Sequence, residues 1–268
     1  MTSRRSQMSF VFHSVRTTAP GVPRVPNPPG DAAHPRSSKP AASHPTGGAG
    51  TGGPPNHPPP PGVGPSFPPP GGARAAAARA DRYLCNSRVV RERIAEAYGI
   101  TAEVVPAPVG IATSGDTEPV PALTDWAGGY LLVVSRLLPY KNVDRVVEAV
   151  RGLEERLVVV GAGPELAPLT ASLPANARIV SDLPDSQMRW AYAHARALVA
   201  PSHEDYGLTP IEAGAWGKPT LALRAGGYLD TVAEVVSGLF FGPPTLAAIR
   251  AAVVPHRGRS RAAAASRT

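Results

Sequence analysis

The sequence predicts an α/β fold, a Rossmann-like parallel sheet flanked by helices, preceded by a disordered Pro/Gly-rich N-terminal arm. Three observations carry this. Short, almost wholly apolar runs over 130–135 and 197–200 have the texture of strands buried on both faces. Stretches with apolar residues at helical spacing alternate with such runs, as in right-handed βαβ units. Composition divides the chain: residues 1–80 hold 18 Pro and 11 Gly, a low-complexity level that cannot bury a core.

The chain is therefore expected to divide at 80 and 249. Residues 1–80 form a disordered arm, 81–249 a Rossmann-like domain, and 250–268 a basic disordered tail. Tyr83 to Asn86 read as a short strand. Ser87 caps a helix over 88–98 with Val90, Ile94 and Ala97 on one face, and Gly99 ends it. A strand over 103–105 and a loop over 109–127 follow. Strand 130–135 comes next, then a helix over 142–153 with Val143, Val146, Val147 and Val150 at i, i+3, i+4, i+7. The alternation continues with strand 156–160, helix 163–173, strand 178–181, helix 185–195 and strand 197–200. It closes with helix 209–216, strand 220–223, helix 229–236 and strand 238–241.

The net charge of +7 is unevenly placed. The arm carries 8 Lys/Arg against one Asp, and residues 250–268 carry 5 Arg and no acid, while 81–249 has 14 Lys/Arg against 19 Asp/Glu. The folded part is acidic, so a basic nucleic-acid face is not indicated. Cys85 is the single cysteine, which excludes an internal disulfide, and no apolar run reaches membrane-spanning length. Arg4-Arg5 with the apolar residues after Met8 is too short for an export signal, so the cytoplasm is the expected compartment.

Residues 201–217 organise the rest. Glu204 and Glu212 stand eight positions apart around Gly207-Leu208-Thr209-Pro210. A helix starting near Thr209 accepts Pro210 in its first turn and offers free N–H groups and a positive dipole end. Such a start suits a phosphate or a sugar hydroxyl. Arg136 and Lys141 follow the first strand of the alternation, on a loop facing the same crevice. Two cations there can clamp a diphosphate.

This stretch resembles the E-x7-E signature of the GT-B glycosyltransferases, specifically the group-one family of retaining enzymes. Arg136-Leu137 with Lys141 is similar to the family's Arg-Leu-x-x-x-Lys segment. Gly161-Ala162-Gly163-Pro164-Glu165 is similar to its Gly-x-Gly-Pro-Glu turn. Gly226-Gly227 with Asp230 is similar to its Gly-Gly-x-x-Glu loop, with Asp in place of Glu. The resemblance runs from about 81 to about 244 and covers the second of the family's two domains, one half of a GT-B fold. It implies hexosyl transfer, retaining, from a nucleoside diphosphate sugar to a carbohydrate or lipid-linked acceptor. It assigns Arg136 and Lys141 to the diphosphate, Glu212 to the ribose hydroxyls and Glu204 to the sugar and the reacting centre, with Gly207, Leu208 and Thr209 binding the donor. Residues 140–144 and 204–207 look most like the branch that uses GDP-mannose. The family's acceptor domain has no counterpart in the arm, so a truncated enzyme is expected. No cofactor or metal is expected. His203 lacks the partner of an H-E-x-x-H site, and Leu166 stands where a dinucleotide fingerprint needs its third glycine. Two other readings fit the same residues: a module that holds a nucleotide sugar without turning it over, and an adaptor acting through its proline-rich arm.

Overall fold

The computed structural model describes residues 13–14, 77 and 79–254. The expected disordered arm, and the expected tail beyond 254, lie almost wholly outside those residues. The chain first builds a small unit. Strand β1 (His13–Ser14) pairs antiparallel with β2 (Tyr83–Cys85), and helix α1 (Arg88–Tyr98) leads from β2 to the parallel strand β3 (Glu103–Val104). Ser87 caps α1 by accepting from the Val90 N–H at 3.2 Å, and Gly99 ends it in the left-handed conformation with φ 70°. Cys85, Ile94 and Ala102 form the unit's own small core.

The large unit is the predicted alternation. Strands β4 (Tyr130–Val134), β5 (Leu157–Val160), β6 (Ala177–Val180), β7 (Ala195–Ala200), β8 (Thr220–Leu223) and β9 (Gly238–Phe241) are all parallel. Between and after them run α2 (Val143–Val150), α3 (Leu166–Ala171), α4 (Asp185–His194), α5 (Leu208–Ala215), α6 (Tyr228–Thr231) and α7 (Leu246–Val253). The spatial order is β6-β5-β4-β7-β8-β9. The chain winds outward from β4 to one side, then returns to the other side of β4 as β7. The central strands are buried on both faces, which is why they read as unbroken apolar runs. In α2 the four predicted valines are the buried stripe.

Three elements differ from the sequence reading, and each has a local cause. The expected helix over 229–236 is only the four-residue α6. Beyond it Val235 turns left-handed at φ 70°, and its N–H bonds to the Gly238 carbonyl at 2.8 Å, which directs the chain into β9. The run of β-branched residues there has little helical preference to oppose this turn. Helix α7 carries structure past the expected boundary at 249, because Ile249 and Val253 are buried and Thr245 caps its start. The expected loop over 109–127 ends in a 3-10 turn, Pro121–Trp126, whose Trp126 is buried under the Arg178 guanidinium 4.0 Å above its ring. Arg178 also bonds both Asp125 carboxylate oxygens, at 2.6 and 2.8 Å.

Candidate donor-binding cleft

β4 and β7 are neighbours whose following segments depart to opposite sides, so a crevice opens beyond their carboxyl ends. A cleft of about 900 Å³ lies there. It is lined by Arg136, Lys141, Glu204, Gly207, Leu208 and Thr209, six of the seven residues singled out in the sequence. After β4, a 3-10 turn (Pro139–Lys141) turns the Lys141 side chain inward, where it is buried, and Asn142 follows in the left-handed conformation. The Asn142 amide donates to the Pro201 carbonyl at 3.1 Å, which ties this loop to the one after β7. Arg136 is exposed and has no acidic partner among the described residues.

Glu204 is the centre of a bonded chain. Lys141 Nζ and Ser202 Oγ both donate to its Oε1, the latter at 2.5 Å. The Tyr228 hydroxyl lies 3.1 Å from Ser202 Oγ. Burial holds the Tyr228 phenol well above its usual range, with the Glu204 charge adding. Ser202 and Tyr228 carry no motif signal, and the sequence reading missed both. The Gly226-Gly227 pair makes this packing feasible. A Cβ at Gly226 would lie 2.3 Å from the Glu204 carbonyl oxygen, and one at Gly227 2.3 Å from the Tyr206 Cα. Beside Glu204, burial pushes the His203 imidazole below its ordinary value, helped by Arg93 and opposed by Asp205 and Glu204.

Helix α5 starts at Gly207, whose φ of 89° and lack of a side chain let the Tyr228 ring approach. A Cβ there would stand 2.5 Å from that ring. No side chain caps this helix start, so its first N–H groups and positive dipole end are open to a ligand. Glu212 lies one turn in. It is buried behind the cleft wall and does not line the cleft. Tyr192 donates to its Oε2 at 2.6 Å, and a Cβ at Gly110 would lie 3.2 Å from its Oε1.

The opposite rim belongs to the small unit, through Asn86 and Ala107. Ser87 Oγ donates to the Asp205 carbonyl, Arg93 pairs with the Asp205 carboxylate, and Arg88 pairs with Asp230. The Arg88 backbone N–H also donates to Asp230, at 2.6 Å. The Asp that replaces the motif's Glu thus serves the start of α1. Asp182, after β6, lines the cleft in the left-handed conformation with φ 54°. Among the described residues no cluster of three or more His, Cys, Asp or Glu could hold a metal ion, and no helix is long and apolar enough to cross a membrane.

Comparison with known proteins agrees with this geometry. Residues 127–254 match the model of the family described as glycosyl transferases group 1. A D-inositol 3-phosphate glycosyltransferase of Actinosynnema mirum is 31% identical over 196 residues, 63% of this chain and 47% of that protein. A GDP-mannose-dependent alpha-mannosyltransferase of Mycolicibacterium smegmatis is 36% identical over 107 residues, 40% of this chain and 28% of that protein. The chain thus spans less than half the length of either relative. In fold it is similar to HepE of Anabaena, solved in complex with UDP-glucose, with a TM-score of 0.60 at 21% identity over 70% of this chain and 57% of that one. Over residues 127–254 the chain therefore matches the glycosyl transferases group 1 model, on a Rossmann-like sheet similar to one half of the GT-B fold.

Proposed function

We propose that the cleft holds a nucleoside diphosphate sugar and that the chain is the donor half of a retaining hexosyltransferase, with GDP-mannose as donor. One observation carries this reading. Two cations, an uncapped helix start and a carboxylate converge on one cleft at the switch point of the sheet. Arg136 and the first N–H groups of α5 bind the diphosphate and stabilise the charge that grows on it as the bond to the sugar breaks. Lys141 stands between that diphosphate and Glu204, and serves both. Glu204 faces the sugar. Glu212 accepts from the ribose through Oε1 once the segment at Gly110, which lies against that oxygen behind the cleft wall, moves aside; its other oxygen is held by Tyr192. The Asp182 carboxylate, an acceptor only, suits guanine, whose edge offers adjacent N–H donors. The GDP-mannose-dependent relative of Mycolicibacterium supports the mannosyl reading. The acceptor, a carbohydrate or lipid-linked group, meets the donor from a second wall that the described residues do not form. The single cysteine supports a cytoplasmic setting.

HepE, with its UDP-glucose, favours a uridine donor as the second reading. Calorimetric titration of the purified chain with GDP, UDP and ADP tests both. GDP is expected to bind tightest. A preference for UDP moves the donor to the second reading, and binding of none removes the donor site.

A further inference from the structure

The cleft contains a buried titratable group that the proposed reaction does not use. Tyr228 is 2% exposed, and among the described residues its hydroxyl reaches only Ser202. The direction of that contact follows from the donors available. A carboxylate accepts only, so the single Ser202 proton goes to Glu204 Oε1. Ser202 Oγ must then accept, and Tyr228 donates. The order is Tyr228 O–H to Ser202 O–H to Glu204 Oε1, with Lys141 Nζ on the same oxygen. Glu204 Oε2 receives no bond from any described residue and stays open to the cleft that Glu204 lines.

We propose that Tyr228 is a positioning residue. Acting through Ser202, it locks one carboxylate oxygen of Glu204, so that the other faces the cleft and accepts a hydroxyl of the donor's hexose. The role is specific to the hydroxyl. The Tyr228 ring also packs on Gly207 at the start of α5, where the diphosphate binds, but Tyr228→Phe keeps the ring and removes only the relay. The proposal rests on the nucleoside diphosphate sugar reading, and two measurements separate the failure of one from the failure of the other.

The first is calorimetric titration with GDP and with GDP-mannose. Tyr228→Phe leaves GDP affinity unchanged and weakens GDP-mannose about fivefold, the scale of one net hydrogen bond. Ser202→Ala does the same. The double variant is no weaker than either single variant, because both break one chain. Equal losses for the two ligands, or losses that add, overturn the relay. The second measurement needs no ligand. Hydrogen exchange of the 202–205 amides is faster in Tyr228→Phe than in the parent. Unchanged exchange overturns the relay even where GDP-mannose proves not to bind, an outcome that by itself removes only the donor reading.

Discussion

Arg136 and Lys141 are equivalent in the motif and unlike in the structure. Arg136 is exposed and free of acidic partners among the described residues, so its guanidinium waits for an anion. Arg136→Ala should weaken GDP binding by about 1.5–3 kcal/mol, the range for hydrogen bonds to charged groups, and leave the thermal midpoint unchanged. Lys141 is 8% exposed and bonded to Glu204. Lys141→Ala should lose binding on the same scale and also lower the midpoint, because it strips Glu204 of its counter-charge. Calorimetry and thermal unfolding on both variants check this. Equal midpoints would mean that the ion pair contributes nothing to stability. The sequence showed both cations and both carboxylates, since their neighbours form motifs. It did not show that Lys141 and Glu204, 63 positions apart, share a bond. It also gave no sign of Ser202 or Tyr228, whose roles depend on where α6 lands.

At the scale of elements, the central strands β4 and β5 were legible because burial on both faces leaves them unbroken apolar runs. The Gly161-Ala-Gly163 turn was legible as a turn but not in its cause. A Cβ at Gly161 would stand 1.9 Å from the Ser135 carbonyl oxygen, so the glycine lets the loop after β5 lie against the loop that bears Arg136. The end of α6 was misread because apolar spacing continues through Val235 while the backbone does not. That residue is 73% exposed, so its side chain contributes little packing to offset a left-handed backbone. Val235→Gly should raise stability by about 1 kcal/mol, read as a higher denaturant midpoint at unchanged slope. A lower midpoint would show that the turn depends on the valine side chain.

For the whole molecule, the sheet order puts Arg136, Lys141, Glu204 and the start of α5 at one end of one sheet. The facing rim is a unit with a three-residue core, held by Arg88, Arg93 and Ser87. Orientation of a second substrate in such a cleft is worth about 7–11 kcal/mol of barrier lowering. Nothing among the described residues forms a wall to supply it. The purified chain is therefore expected to bind its donor and show no multiple turnover in an assay for released nucleoside diphosphate with an oligosaccharide or lipid acceptor pool. Repeated turnover that Glu204→Ala abolishes would overturn the separation of donor and acceptor halves.

The left-handed backbone at Asp182 limits how this cleft could acquire a new donor. At φ 54° a β-branched or bulky residue is strained, while Asp, Asn and Gly are tolerated. The mutational alphabet at this cleft position is thus nearly closed. Asn keeps an acceptor and adds a donor, and Gly removes both. A lineage that changed its nucleotide through this residue would have those two low-cost routes, and any other side chain would first require the loop after β6 to be rebuilt.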